Sequence, residues 1–238
     1  MKAYIIISME NEHSLEKGIE CIEQAQKYDI KPEIFKAVKG ENAQDVFDKF
    51  GLSHVLKSAC AIDKLKRNGV RGCLASHLLL LEKCKNDNVP YLIMEHDAWF
   101  LKKLPDNILD KFKNVIHLDG FDHLSKTYYQ NIKDHENEDI EYINYTQIRR
   151  IQDVKYRALT GKEGIRYSYF FGTHAYIIKP HVVDIILKYL KHFGLVPADW
   201  MFNNYLFPDL KGLNTSIVCV HEKYNSIYVR KNNMSLTS

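Results

Sequence analysis

No apolar run in this 238-residue chain approaches the length needed to cross a bilayer. Lys2 leads directly into a strand-like stretch, without the apolar core and cleavage site of a signal peptide. A cytoplasmic protein is the expectation. The five cysteines, Cys21, Cys60, Cys73, Cys84 and Cys219, are odd in number and fit no metal-ligand spacing along the sequence. That argues against a disulfide framework and for a reducing compartment. Charge of one sign is also scarce. A net charge of +3 and a pI near 8.4 permit an anionic substrate or membrane surface and require neither. Internal repeats and low-complexity segments are missing, which argues against a solenoid.

What is present is ordinary globular composition, 45% hydrophobic and 26% charged, in a length that suits one large α/β domain. Ala3 to Met9 reads as a first strand, Leu15 to Tyr28 as a helix capped by Ser14, and Pro32 to Val38 as a second strand. Strands joined this way lie parallel, with a right-handed crossover. A short helix is expected over Ala43 to Phe50. Ser58 to Arg71 reads as a basic loop, followed by a helix from Cys73 to Lys85. Its approach, Asn68-Gly69-Val70-Arg71-Gly72-Cys73, places Arg71 and Gly72 at a helix N-terminus. Free N–H groups there favour phosphate, although a plain turn before a helix explains the same residues.

The stretch Val89 to Phe100, VPYLIMEHDAWF, carries the clearest chemistry. A short apolar run bounded by proline and charges reads as a buried strand. Strand alternation puts Glu95 and Asp97 on one face and His96 on the other. Two carboxylates at the carboxyl end of a sheet strand suit Mg²⁺ or Mn²⁺, or form merely the solvated end of a core strand. Further strands are expected over Asn114 to Leu118, Thr173 to Ile178 and Leu213 to Val220. A helix is expected over His181 to Phe193, and Asp199 reads as the N-cap of a short one from Trp200 to Leu206. Asp119 to Arg166 is irregular, with an acidic patch at Asp134 to Glu141 and a basic one around Arg149 to Arg157.

Taken in order, these segments resemble glycosyltransferase family 25. The residues that carry the likeness are Tyr4-Ile5-Ile6-Ile7-Ser8-Met9-Glu10-Asn11, Ala37-Val38-Lys39-Gly40, Gly69-Val70-Arg71-Gly72-Cys73-Leu74-Ala75-Ser76-His77, Glu95-His96-Asp97, Gly172-Thr173-His174-Ala175-Tyr176 and Pro197-Ala198-Asp199. The likeness runs from residue 3 to about 221. It departs at His96, where the family has a middle acid.

The resemblance implies a GT-A-like single Rossmann-type domain of α/β class, with a mostly parallel central sheet flanked by helices. Residues 1–118 would form the nucleotide-sugar-binding half and residues 119–238 the acceptor-side half. It implies inverting, Mn²⁺- or Mg²⁺-dependent transfer of a hexose, galactose first, from a UDP-sugar to a glycan or glycolipid acceptor. Nucleic acid is not an expected partner, and peripheral contact with the inner face of a membrane is. Asp97, Glu95 and His221 are the metal-ligand candidates. His221 enters because it ends the last strand, and a strand-end surface histidine explains it as well. Ser8, Glu10, Ala37, Val38, Arg71, Gly72, Ser76, His77 and Glu95 are the donor-binding candidates. Asp199 is the candidate general base, and an N-cap role competes for it. Two other readings use the same acids. One is a carbohydrate-binding or assembly protein that lost catalysis through His96, and the other is a nucleotidyltransferase or phosphohydrolase.

Overall fold

The N-terminal β-branched run forms β1 (Lys2–Ile7), whose side chains alternate between two cores. Tyr4 and Ile6 pack into one, Ile5 and Ile7 into the other. β3 (Tyr91–Glu95) and β7 (Ala175–Ile178) divide in the same way. A strand buried on both faces is apolar throughout, and that is why these runs show no polar alternation. The computed structural model describes residues 1–57, 59–120, 139–144, 172–213 and 216–220.

The remaining strands are β2 (Glu33–Lys36), β4 (Ala98–Phe100), β5 (Val115–Gly120), β6 (Tyr142–Asn144), β8 (Lys211–Leu213) and β9 (Val218–Val220). The central sheet has the order β2-β1-β3-β7-β5-β8-β6. β2, β1, β3, β5 and β8 run one way, and β7 and β6 run against them. The sheet is therefore mostly parallel, as expected of a Rossmann-like domain. β4 and β9 form a separate antiparallel ribbon.

The larger core packs α2 (Ala43–Lys49), α3 (Ala59–Leu65), α4 (Asn68–Asp87) and α5 (Val182–Phe193) on one face of the sheet. The other face carries α1 (Glu12–Gln26) and the β4–β9 ribbon. Among the described residues, no helix is long and apolar enough to cross a membrane.

Several local expectations are corrected. α1 is capped by Asn11, whose side chain accepts from the Ser14 N–H at 3.0 Å. The Ser14 hydroxyl instead accepts from the Ser8 N–H, tying the helix to the end of β1. The supposed basic loop contains α3, and α4 starts at Asn68, so Gly72 lies inside a helix. Asp199 caps no helix, because it sits within a 3-10 turn, Ala198–Met201. The last strand is two, β8 and β9, in different sheets. His221, the tail and most of Asp119 to Arg166 lie outside the described residues, apart from β5's end and β6.

Gly72 has a packing reason. A Cβ there would lie 2.4 Å from the Val38 carbonyl oxygen. Gly40 is equally constrained, with its Cβ position 2.1 Å from the Asn68 oxygen. These two contacts bring the end of β2 directly onto the first turns of α4. Gly72→Ala is expected to destabilise the fold by about 1–3 kcal/mol through overpacking. Urea unfolding would measure it, and an unchanged midpoint would mean that the two backbones are not held together.

Candidate active site

β1 has β2 on one side and β3 on the other, so the chain reverses direction across the sheet there. In open α/β sheets a ligand crevice forms at such a switch point, outside the carboxyl ends of the strands. A cavity of about 490 Å³ lies there. Six sequence-predicted residues line it: Ser8, Ala37, Val38, Gly72, His77 and Glu95. Ser8 follows β1, Ala37 and Val38 follow β2, and Glu95 ends β3. Asn68, Gly69 and Cys73 join them from α4, with Lys39 and His96. Asn68 and Gly69 open α4, and no side chain caps that helix. The free N–H groups expected at Gly72 are therefore supplied one turn earlier. A larger cavity, about 850 Å³, lies around Asn114, Lys179 and Asp209 at the amino end of β5 and contains none of these residues. Position at the carboxyl ends, not size, marks the candidate site.

Three predicted residues point elsewhere. Arg71 donates to Gln44 Oε1 at 2.9 Å and stacks over the Phe47 ring, facing α2. The cavity-facing stripe of α4 runs through Asn68, Gly69, Gly72, Cys73 and His77, and Arg71 falls off it. Ser76 is fully buried, accepting from the Val38 N–H at 2.8 Å and donating to the Gly72 carbonyl at 2.7 Å. It holds the strand end in place and does not line the cavity. Glu10 is exposed and pairs with Lys39 at 2.5 Å.

Glu95 and Asp97 do come together, by a turn and not by strand alternation. β3 ends at Glu95, residues 96–97 turn, and β4 begins at Ala98. His174, just before β7, completes the group. One ligand atom from each of Glu95, Asp97 and His174 lies within 4.8 Å of the others. Their side chains are 21%, 15% and 20% exposed, which leaves them sheltered but reachable from solvent. The Glu95 N–H donates to the His174 carbonyl at 2.8 Å, extending the β3–β7 pairing and fixing the backbone here.

The electrostatics keep both acids ionised. Burial alone would raise the Glu95 carboxyl. Hydrogen bonds from His77 (3.2 Å) and Thr173, with the His174 charge, outweigh it and hold it low. Burial likewise opposes ionisation of Asp97, and His174 at 3.4 Å holds it below the usual range. For His174, burial disfavours the imidazolium, yet Asp97 and then Glu95 push its pKa up to about 10. Once an incoming cation displaces the His174 proton and takes over its role beside the two acids, two hard oxygens and one imidazole nitrogen are a donor set that accepts Mn²⁺ or Mg²⁺. His77 is fixed on its far side by the Tyr176 hydroxyl at 2.8 Å. Burial pushes that phenol well up, so it stays a donor to Nδ1 and leaves the Nε2 proton for Glu95.

Asp199 belongs to the same electrostatic cluster. Burial raises its carboxyl to about 6, and the Glu95 charge adds to this against Lys64 and His174. Its neighbour Trp200 is buried under the Lys64 ammonium, which lies 4.9 Å from the ring. Trp200 thus packs in the core and offers no stacking face. Asp199 does not line the 490 Å³ cavity, and it is linked to the site through its electrostatic coupling to Glu95 and His174. A carboxyl titrating near 6 has the protonation behaviour of a general base.

His174, Thr173, Cys73 and Lys64 were not singled out from the sequence. Gly172-Thr173-His174-Ala175-Tyr176 was visible as a motif, but only the pairing of β3 with β7 carries His174 to Asp97.

A mostly parallel sheet with a crevice at its switch point, and Glu95 at the edge of that crevice, makes this a Rossmann-like α/β domain. The family model for glycosyltransferase family 25 (LPS biosynthesis protein) matches residues 1–202, and the chain belongs to that family. No curated protein matches it. Membership makes the chain a glycosyltransferase with a role in glycosyl transfer for lipopolysaccharide synthesis, acting on a nucleotide-sugar donor and a glycan acceptor.

Proposed function

We propose that the chain is an inverting, Mn²⁺- or Mg²⁺-dependent hexosyltransferase that moves galactose from UDP-galactose to a lipooligosaccharide or surface polysaccharide. In this reading the domain is organised like GT-A enzymes. Residues 1–118 form the donor half and residues 119–238 the acceptor half, at the inner face of a membrane. The observation that carries the proposal is the Glu95–Asp97–His174 group beside a switch-point cavity.

The nucleoside lies along Ser8, Ala37 and Val38, and the pyrophosphate near the uncapped first turn of α4 and Lys39. Glu95, Asp97 and His174 hold the cation, with His221 a further candidate ligand. When bound, the cation supplies Lewis-acid neutralisation of charge on the leaving diphosphate. Asp199 takes the proton of the acceptor hydroxyl as that oxygen attacks the anomeric carbon. The bond from that carbon to the diphosphate oxygen breaks in the same in-line displacement, inverting the centre and releasing UDP. His77 and Thr173 keep Glu95 ionised and oriented throughout.

A thermal-shift panel of UDP-, GDP- and CMP-sugars, each with and without Mn²⁺, tests this directly. At about a hundredfold excess over Kd, UDP-galactose with Mn²⁺ is expected to raise Tm by about 5–10 °C. Equal shifts without Mn²⁺, or a larger one for another nucleotide class, would remove the donor assignment.

A further inference from the structure

Glu95 has a second set of neighbours on its other side. Cys73 and His77 stand one turn apart on α4, so both side chains leave the same face of the helix. One donor atom from each of Cys73, His77 and Glu95 lies within 4.8 Å of the others. All three residues line the 490 Å³ cavity. The separations match a tetrahedral thiophilic ion. With zinc–nitrogen and zinc–oxygen bonds of about 2.0–2.1 Å and a zinc–sulfur bond of about 2.3 Å, tetrahedral angles put N and O about 3.3 Å apart and S and O about 3.6 Å apart. The observed distances to Glu95 Oε1 are 3.2 Å from His77 Nε2 and 3.8 Å from Cys73 Sγ.

We propose that Cys73, His77 and Glu95 form a binding site for Zn²⁺ or a similar thiophilic divalent cation, with a fourth position open to the cavity. Three protein ligands and one open position are the arrangement of reactive rather than purely structural zinc sites. Sequence spacing hid the site because the third donor comes from β3. As the metal–sulfur bond forms, the Cys73 thiol proton leaves to solvent. His77 changes tautomer: its Nε2 proton leaves to solvent, Nδ1 takes one proton up, and Tyr176 turns from donor to acceptor of that N–H, so Nε2 is free to ligate. Such a partner on the far ring nitrogen is the usual support of a ligating histidine. The two groups share Glu95 and each has one histidine, and they differ in Cys73 against Asp97, so a thiophilic ion takes Glu95 away from the transferase cation. The site itself stands on geometry independent of the transferase mechanism.

Co²⁺ titrated anaerobically into the full reduced chain is the test. The expected result is an intense cobalt–thiolate band in the near ultraviolet with the visible bands of tetrahedral Co²⁺, saturating stoichiometrically and discharged by Zn²⁺. Cys73→Ser should abolish the near-ultraviolet band, and Asp97→Ala should leave it unchanged. Asp97→Ala is also the change expected to abolish Mn²⁺-dependent UDP binding, so failure of the two readings is distinguishable. No near-ultraviolet band, or one that survives Cys73→Ser, overturns the proposal. So does a band lost in a folded Asp97→Ala protein, which would place the ion at the other pair. A measurement on the unaltered chain covers misfolding of the serine variant: Zn²⁺ should protect Cys73 from maleimide, mapped by peptide mass. Modification at the same rate with and without Zn²⁺ overturns the proposal as well.

Discussion

Asp199→Asn is expected to lower kcat by about 10²–10⁴-fold while making the protein more stable at neutral pH. The loss of rate follows from removing the only proposed acceptor of the substrate hydroxyl's proton. The active form is the carboxylate, and its carboxyl titrates near 6. Activity should therefore rise with pH through about 6 and level off above it, and the acid limb should disappear from the residual rate of the variant. The gain in stability comes from the same shift. Burial first, then the Glu95 charge, raises the folded carboxyl from the usual 3.8 to about 6. The folded state thus holds this proton where the unfolded chain has lost it. Stability falls as pH rises from about 4 through about 6, and the full cost, about 2–3 kcal/mol, persists above that. Asparagine carries no charge, so its benefit should be complete above about pH 6 and vanish below about pH 4. Urea unfolding at neutral and acid pH, without ligands, measures it. Equal stability at neutral pH together with unchanged turnover would show that Asp199 is neither desolvated nor the base.

Asp97→Ala is expected to weaken cation-dependent UDP binding by about 100-fold or more and to abolish transfer. Substitutions that only orient a metal ligand cost 10–100-fold, and Asp97 is proposed as a ligand itself. It also provides the charge that keeps His174 in place, at 3.4 Å. Calorimetry with UDP and Mn²⁺ reads the result. If the variant binds both as tightly as the unaltered chain, the donor site lies elsewhere.

Much of the site was legible because it sits at strand ends. β-branched runs bounded by polar residues placed β1, β2 and β3, and residues just after such strands face a crevice in any parallel sheet. Ser8, Ala37, Val38 and Glu95 could be chosen on that basis, and all four line the cavity. Helix-based choices fared less well, because direction around a helix depends on where it begins. Starting α4 at Cys73 made Gly72 a terminus and turned Arg71 toward a phosphate. The observed start at Asn68 buries Gly72 against Val38 and turns Arg71 onto Phe47. Asp97 was correctly associated with Glu95 for the wrong reason, since a turn brings it there.

The sequence by itself determined the α/β class, the parallel start, and the presence of two acids at one strand's end, because local periodicity and apolar runs carry that information. Only the tertiary structure decided that His174 meets Asp97 and that Thr173 and His77 meet Glu95. The meetings of His174 and Thr173 with the two acids depend on β7 lying antiparallel to β3, between chain segments 77 and 78 residues apart, and that of His77 depends on α4 packing over β3. Strand pairing at that distance is selected by the packing of both sheet faces at once, and no local pattern encodes it.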